Sequence, residues 1–390
     1  MTEQIPLGYK KTEIGIIPED WEVKRLGEVG CIIGGGTPNT NKSEYWNGEI
    51  NWFTPTEIGG KKYVLESKRK ISYEGLKYSS AKLLPPGTIL FTSRATIGEV
   101  AVLKKESATN QGFQSIIPKD KDNEFLYYLL LIYKNRFEKI ANGSTFLEIS
   151  PKSIKNFSIQ IPPLSEQRAI ARVLSDFDKL IESLDRLIEK KKLIKKGAMQ
   201  VLLTGKKRLP GFKGEWVRKR LGEVTDCLDD HRIPLNESQR KKMRGTIPYC
   251  GANGILDYVN DYTIDDDIIL LAEDGSQSDE FEEKPIAYRM KGKCWVNNHA
   301  HIIKAKEGYS QDFLFYSLVH KDIREYIGGG TRSKLNKSEM FKIEIDFPST
   351  LKEQRAIAQI LSDMDAEIEA LERKKQKYEM IKRGAMELLL

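Results

Sequence analysis

The residues whose spacing could serve catalysis or metal binding are few, and each has a plainer interpretation. His299 and His301 alternate as on one strand face, yet no cysteine pair or carboxylate cluster accompanies them. Residues 66–68 and 282–284 read Glu-x-Lys, a fragment of some metal-dependent nuclease sites, without the Pro-Asp that should precede it. We therefore expect no metal site and no nuclease site, and surface or base-contacting roles for the two histidines.

The motifs of nucleotide binding and methyl transfer are also absent from the sequence. No GxxxxGK[ST] loop occurs, and the glycine-rich residues 34–38 have a proline and no lysine, which favours a turn. No [DNS]PP[YFW] tetrapeptide occurs that could hold a flipped base, as an amino-methyltransferase must. The four histidines and four cysteines fit no Ser-His-Asp or Cys-His motif. The sequence therefore predicts a chain without catalysis of its own.

The composition is typical of a large soluble chain. Its 390 residues are 39% hydrophobic and 31% charged, with a net charge of +7 that only weakly favours an anionic partner. The longest nearly apolar run, 125–133, is far shorter than the roughly 20 residues of a membrane-spanning helix. No secretory signal is visible and the four cysteines stand apart, so we expect a cytoplasmic protein without disulfides.

The sequence contains an internal duplication. Residues 164–184 (LSEQRAIARVLSDFDKLIESL) match 351–371 (LKEQRAIAQILSDMDAEIEAL), and 21–29 match 216–224, while the sequence between these anchors shares little. Two copies at a long period indicate a domain duplication with a pseudo-two-fold axis. The predicted segments are a variable domain at 1–163, a repeated helix at 164–204, a second variable domain at 205–350 and a second repeated helix at 351–390.

The repeated segments have the pattern of coiled-coil helices, because their apolar residues advance alternately by four and three positions. Proline precedes each helix, and Thr350 with Glu353 has capping-box spacing. A seam of three heptads is marginal on an isolated helix, so each helix needs a partner. Because a two-fold relates the copies, we expect the two helices to pair antiparallel in a rod of about 55–60 Å. The predicted seam residues are Ile170, Leu174, Phe177, Ile181, Leu184, Ile188, Ile357, Leu361, Met364, Ile368 and Leu371.

The variable segments have alternating or continuous apolar runs between glycine and proline, which is typical of strands. Strands are predicted at 88–92, 99–103, 114–117, 267–271, 286–288 and 300–303. A helix follows each set, near 124–140 and 311–327, and leads into a polar loop. The predicted fold class is therefore α/β (α+β): two strand-rich domains joined by two long helices that form an antiparallel coiled coil.

This plan resembles the specificity subunit of type I restriction–modification enzymes. The duplicated openings IPEDW-x4-LGEV and PGFKGEW-x4-LGEV and the duplicated PLSEQRAIA and LKEQRAIA helices carry the resemblance, which covers essentially the whole chain. It implies a non-catalytic DNA-binding subunit in which each variable segment, a target recognition domain, reads half of a bipartite target. The helices would set the gap and dock two modification (methyltransferase) subunits, with restriction (translocase and nuclease) subunits joining them. S-adenosylmethionine, ATP and Mg²⁺ would belong to those partners.

The residues that would read bases are predicted from chemistry, since Arg and Lys pair with guanine and Asn and Gln with adenine. Candidates are polar residues on loops between the apolar strands, although each could equally be an ordinary turn residue. They are Ser93, Arg94, Thr96, Asn110, Gln111, Gln114, Ser144, Thr145, Ser276, Gln277, Asn297, Asn298, His299, Thr331, Arg332 and Lys334. Lys61 and Lys62 could contact phosphate, with solvated surface lysines as the simpler interpretation. The basic residues 190–192, 195 and 196 could face DNA or a partner.

Two other functions stay open at this point. The chain could be a self-contained methyltransferase or nuclease whose motifs have drifted. It could also be a coiled-coil interaction protein that never meets DNA.

Overall fold

The computed structural model describes residues 5–141, 147–273, 280–327 and 334–390. The chain divides into two compact units. Unit 1 is Met1–Leu184 with Lys374–Leu390, and unit 2 is Asp185–Arg373. Each unit therefore combines one variable segment with a part of both repeated segments, and the boundary between the units falls inside both long helices.

The long helices are α6 (Leu164–Leu202) and α11 (Leu351–Leu389). Each begins just after the prolines that the sequence marks as a helix start, and the Glu353 amide donates to Thr350 Oγ1 at 3.3 Å. None of the described helices is long and apolar enough to cross a membrane. The other helices of the described residues are α1 (Leu26–Val29), α2 (Tyr73–Lys77), α3 (Asn123–Ile132), α4 (Lys134–Ile140), α5 (Pro151–Lys155), α7 (Leu221–Val224), α8 (Glu237–Lys242), α9 (Gln311–Leu318) and α10 (Lys337–Met340).

The two long helices run antiparallel within each unit, as predicted. In unit 2, Lys192 of α6 pairs with Glu372 of α11 at 2.9 Å, while Leu202 at the end of α6 shares a core with Leu361. In unit 1, the last turns of α11 around Met386 pack against Leu174 near the start of α6. Each predicted seam residue is buried or half-buried in the structure.

The strands of the two variable segments follow one plan. Unit 1 has β1 (Tyr9–Thr12), β2 (Gly15–Pro18), β3 (Glu22–Arg25), β4 (Gly30–Gly34), β5 (Trp46–Phe53), β6 (Tyr63–Val64), β7 (Arg69–Ile71), β8 (Ile89–Phe91), β9 (Val100–Leu103), β10 (Ser107–Thr109), β11 (Gln114–Pro118) and β12 (Ser158–Ile161). Unit 2 has β13 (Trp216–Arg220), β14 (Thr225–Cys227), β15 (Arg244–Gly251), β16 (Gly254–Val259), β17 (Ile264–Ala272), β18 (Ala287–Val296), β19 (Ala300–Ala305) and β20 (Glu344–Pro348).

The main sheets share a topology that the two sequences do not reveal. Strand order is β4-β11-β8-β9-β6 in unit 1 and β14-β19-β17-β18-β15-β16 in unit 2. The first four strands of each pair antiparallel, and the fifth (β6 or β15) joins parallel to β9 or β18. A separate two-stranded ladder, β3 with β12 or β13 with β20, carries the repeated opening motif.

We call α3 and α9 the domain helices, because each follows the sheet of one variable segment and packs on it. Phe125 and Tyr128 of α3 share a core with Leu174 of α6, and Phe313 of α9 shares one with Leu361 of α11. Both helices are shorter than predicted: the first breaks at Tyr133, and the second ends at Leu318. The chain leaves α9 there because the Val319 carbonyl accepts the Ile286 amide at 2.9 Å, at the start of β18.

A repeated glutamine joins each domain helix to a long helix. Gln167 Nε2 donates to the Pro162 carbonyl at 2.8 Å, and its Oε1 accepts the Asp122 amide at 3.0 Å. Gln354 does the same with the Pro348 carbonyl at 3.1 Å and the Ser310 amide at 2.8 Å. Asp122 and Ser310 are the N-caps of α3 and α9. Both glutamines are buried, so this part of the repeated motif serves internal packing.

Candidate nucleic-acid interface

In unit 1 the predicted loops meet at one point. The Ser93 amide donates to the Gly112 carbonyl at 2.8 Å, and the Ser93 carbonyl accepts the Ile149 amide at 3.1 Å. The segment after β8 therefore lies between the loop that precedes β11 and the chain that follows the domain helix. Ser144 and Thr145 lie outside the described residues, but their flank ends at this junction.

Unit 2 has the same junction, built from unrelated residues. The Glu273 amide donates to the His299 carbonyl at 2.9 Å, and the Glu273 carbonyl accepts the Leu335 amide at 2.8 Å. The predicted residues Ser276, Gln277, Thr331 and Arg332 lie outside the described residues, with flanks that end here. We call each arrangement the three-segment junction of its unit.

The side chains at the unit 1 junction divide by exposure. Arg94 and Gln111 are exposed, whereas Ser93 and Gln114 are buried and cannot touch a base in this conformation. Arg94 forms an ion pair with Glu148 at 2.8 Å, and Gln111 Oε1 accepts the Thr37 hydroxyl. Of the predicted base-contacting residues at this junction, Arg94 and Gln111 are therefore the accessible ones.

Two other predicted residues of unit 1 shape its loops. Thr96 and Asn110 are half-buried. The Thr96 hydroxyl donates to the Pro55 carbonyl at 3.3 Å, and Asn110 Oδ1 accepts the Gly112 amide at 2.8 Å. Both hydrogen bonds are made within the domain. They fit the alternative given above, in which these residues are ordinary turn residues.

The unit 2 junction also combines exposed and buried side chains. Asn298 and His299 are exposed, whereas Asn297 is buried, with its Oδ1 accepting the His299 amide at 2.8 Å. Lys334 is half-buried and its ammonium lies 3.3 Å from the Glu273 carboxylate. In unit 2 the central segment of the junction carries the anion, Glu273. In unit 1 the central segment carries the cation, Arg94. The two junctions therefore share a backbone arrangement but present different charged groups.

A buried polar cluster contacts two residues of the unit 2 junction, Leu335 and Glu273. His301 Nδ1 lies 2.7 Å from an Asp229 carboxylate oxygen, and Nε2 lies 2.7 Å from the Leu335 carbonyl. Arg232 contacts both Asp229, at 3.1 Å, and Glu273, at 2.6 Å. Burial raises the pKa of Asp229, but hydrogen bonds from His301 and from the Ile302 amide outweigh it, and the net pKa is lowered. The surface role predicted for His301 is wrong, because its strand turns this side chain into the core.

The same cluster brings together potential metal ligands that the sequence did not. Ligand atoms of Cys227, Asp229 and His301 lie within 4.8 Å of one another. Both nitrogens of His301 are already engaged, by Asp229 and by the Leu335 carbonyl. A metal ion would have to break one of these buried contacts, so we assign the cluster a structural role.

We expect Asp229→Asn to destabilise unit 2 by about 3–5 kcal/mol, because it removes one partner of a buried ion pair. A carboxylate with a lowered pKa stabilises the fold above its ordinary value of 3.8 and loses that effect as the pH falls through its folded pKa. The difference from the unmodified chain should therefore shrink below about pH 4. Urea unfolding at pH 7 and pH 3.5 measures it. Asp230→Asn, an exposed neighbour, is the matched control, and equal unfolding of both variants would contradict the assignment.

Several lysines named as possible DNA contacts have internal partners instead. The side chain of Lys62 is only 9% exposed and donates to Ser175 at 2.7 Å, to Tyr128 at 3.0 Å and to Glu124 at 3.1 Å. Lys191 and Lys196 of α6 pair with Glu367 at 2.6 Å and with Glu282 at 3.1 Å. Both interpretations of Lys62, a phosphate contact and a solvated surface lysine, are wrong, because the domain helix and α6 cover it. Much of the α6 charge is neutralised within unit 2.

Comparison with known proteins identifies this architecture. The family model described as the type I restriction modification DNA specificity domain matches residues 18–192 and again 213–380. The MjaIX specificity subunit of Methanocaldococcus jannaschii is 32% identical over 326 residues, which cover 76% of this chain and 72% of that protein. The EcoprrI specificity subunit of Escherichia coli is 27% identical, covering 87% of this chain and 86% of that protein.

Solved structures share the fold. The S subunit of a type I restriction-modification system from M. genitalium superposes with a TM-score of 0.64 at 18% identity. The match covers 95% of this chain and 96% of that one. A chain from a structural study of the assembly and conformational transition of the type I R-M system gives a TM-score of 0.58, also at 18% identity. At this identity the superpositions speak to the fold alone.

Proposed function

Because the chain belongs to the family of type I restriction–modification DNA specificity subunits, we propose that it binds a bipartite target in double-stranded DNA. One observation carries the proposal: the same three-segment junction occurs in both units with different side chains. A shared backbone suits one mode of docking on DNA, and different side chains suit two different half-sites. Each variable segment would read one half, the long helices would set the gap between the halves, and the chain would direct both methylation and restriction.

The exposed side chains at the junctions have chemistry suited to base recognition. A guanidinium such as that of Arg94 matches the two acceptors of guanine, and the amides of Gln111 and Asn298 match adenine. Each accessible cation at a junction has a carboxylate partner, Glu148 for Arg94 and Glu273 for Lys334. DNA would replace these carboxylates, so the ion pairs hold the readers in place before binding.

The partners would be two identical methyltransferase subunits. Exposed aliphatic residues lie at the same repeat position of both long helices: Leu193 (68% exposed) with Ile194 in unit 2, and Met380 (71% exposed) with Ile381 in unit 1. We call these pairs the docking patches. An exposed apolar pair that recurs at one repeat position of both helices suits a protein partner that binds twice.

A groove of similar size accompanies each patch. The groove of unit 2 has a volume of 730 Å³ and is lined by Leu193, Lys196 and Met199, among others. The groove of unit 1 has a volume of 700 Å³ and is lined by Arg383 and Met386, the repeat equivalents of Lys196 and Met199. Restriction subunits would complete the assembly, which would act in the cytoplasm. S-adenosylmethionine, ATP and Mg²⁺ would be bound by the partners, since the sequence has no motif for holding them.

The test is reconstitution of the full chain with its methyltransferase and restriction subunits, followed by mapping of methylated sites across a genome. We expect one bipartite motif with a fixed gap. Arg94→Ala with Gln111→Ala should weaken discrimination at one half-site by about 10–100-fold, and Asn298→Ala should weaken the other half-site only. Within each variant the untouched half-site is the control.

Two outcomes would contradict the proposal. Methylation or cleavage by the chain alone, with S-adenosylmethionine and Mg²⁺ supplied, would identify it as an enzyme. Complexes that methylate without a bipartite motif would show that the junctions do not read DNA.

A further inference from the structure

A hydrogen-bonded triad joins three helices in unit 1. The Tyr128 hydroxyl of the domain helix donates to one carboxylate oxygen of Asp178 on α6. The Lys382 ammonium of α11 binds the other oxygen of the same carboxylate. Lys382 also lies 5.4 Å from the centre of the Tyr128 ring, so all three side chains contact one another.

Unit 2 contains the same triad with the roles of the long helices exchanged. The Tyr316 hydroxyl of the domain helix donates to Asp365 of α11 at 2.8 Å, and Lys195 of α6 binds the other oxygen of that carboxylate. Lys195 lies 5.4 Å from the Tyr316 ring centre. Asp365 and Asp178 stand at the same repeat position, as do Lys382 and Lys195.

The residues around the two triads differ, although the triads themselves are the same. In unit 1, Lys62 reaches Tyr128 from the sheet and also binds Glu124 at the start of the domain helix. In unit 2, Arg289 of β18 pairs with Asp312 at the start of the domain helix and does not belong to the triad. Each recognition domain thus ties its own sheet to its domain helix, while the contact to both long helices is preserved.

The triad supplies what apolar packing cannot. The buried glutamine near the start of each long helix holds the N-terminus of the domain helix, but burial of apolar surface is non-directional and does not by itself fix the rotation of the domain helix about that point. Hydrogen bonds require a donor–acceptor distance near 2.8 Å and a restricted angle. A carboxylate that binds a hydroxyl with one oxygen and an ammonium with the other fixes the domain helix relative to both long helices.

We propose that the triads Tyr128–Asp178–Lys382 and Tyr316–Asp365–Lys195 hold each recognition domain in a fixed orientation on the long helices and so make the complex selective for one gap length. The proposal rests on the proposed function. One added base pair moves a half-site by about 3.4 Å and turns it by about 35° around the DNA axis. A domain held by its triad cannot follow that movement, whereas a domain without the triad can.

The experiment uses the reconstituted complex and DNA carrying the two mapped half-sites at the natural gap and at gaps one base pair longer or shorter. The unmodified complex should methylate the natural gap at least about 100-fold faster than the others. Asp178→Ala should reduce that preference to less than about tenfold, since losing one coupled contact network is worth a factor of this order. Lys382→Arg keeps the ion pair and should keep the selectivity.

The controls separate positioning from folding. Asp176 is an exposed aspartate of α6 whose ion-pair partner, Lys179, lies on the same helix. Asp176→Ala should therefore leave the gap preference unchanged. Asp365→Ala and its matched control Asp363→Ala repeat the comparison in unit 2. If Asp178→Ala does not fold, Tyr128→Phe removes only the hydroxyl and should relax the gap preference in the same direction.

Each failure has its own signature. An unmodified complex without any gap preference overturns the proposed function. Selective methylation by the unmodified complex, together with equal selectivity in the folded Asp178→Ala or Tyr128→Phe variants, overturns the role of the triads alone.

Discussion

Insertion of one heptad into both long helices, after Leu184 and after Arg373, is expected to end recognition of the natural gap and to favour a longer one. Seven helical residues add about 10 Å, and DNA rises about 3.4 Å per base pair. Seven residues also preserve the phase of a coiled-coil seam. Genome-wide methylation mapping should show both half-sites unchanged and the gap extended. Methylation of the original motif should fall by at least about 1,000-fold, the lower end of the margin between specific and non-specific binding.

The structure decides where the insertions go. From the sequence, a heptad added within 170–188 alone would be expected to change the gap. Within each unit, however, α6 contacts α11, as Lys192 does with Glu372 and Asp178 with Lys382. A change in one helix would shift those partners out of register. Insertions at the unit boundary in both helices leave every contact inside each unit in place.

The single insertion after Leu184 is therefore the matched control, and we expect it to lower stability and to abolish methylation. A double insertion that changed the bases read, with the gap unaltered, would contradict the division of roles between domains and helices. A double insertion that left both the bases and the gap unaltered would show that the helices do not set the spacing.

The sequence predicted the elements well because their signals are local. Runs such as 267–271 and 300–303 are largely apolar, and they form β17 and β19 almost as predicted. The heptad spacing likewise predicted both long helices, and the pseudo-two-fold of the duplication predicted their antiparallel pairing. The end of α9 was misplaced because a bond from the distant Ile286 amide stops it, which no local pattern records.

Side-chain roles were harder to predict because their partners are distant in sequence. Lys195 and Asp365 lie 170 residues apart, and Lys62 and Ser175 lie 113 apart. An exposed and a buried lysine look alike in such a sequence. The three-segment junctions could be predicted only in part. The loops could be named from their residues, but the backbone hydrogen bonds that join them depend on the sheet topology.

The repeat itself carried two kinds of information that the sequence could not separate. The identity of the long helices first suggested two copies of one partner. The structure assigns part of that identity to internal contacts, since Gln167, Gln354 and the triads bind within their own units. Exposed at matching positions are charged residues, such as Arg168 with Arg355, and the apolar pair in each docking patch. That remainder is the surface that the partner hypothesis must explain.

Leu193→Asp and Met380→Asp are each expected to remove one of the two methyltransferase subunits, and the double variant to remove both. A central apolar contact of an interface is worth about 2 kcal/mol or more, and a carboxylate in its place adds a desolvation cost, so affinity should fall at least about 100-fold. Analytical ultracentrifugation of the mixed subunits gives the stoichiometry, and methylation should be lost completely with the double variant. Both residues are already exposed, so the free chain should keep its stability.

The matched controls are Tyr73→Asp and Leu256→Asp, which place the same carboxylate at apolar residues of similar exposure, 69% and 60%, in the variable segments. They should bind both subunits normally, because a variable segment cannot present one surface twice. If they weaken assembly as strongly as the helix variants do, the methyltransferase subunits bind the recognition domains. If the double helix variant still binds two subunits, the repeated apolar pairs have another cause. A complex that lost one subunit in each single variant and kept the other would show that the two patches act independently, as duplication of a single docking surface requires.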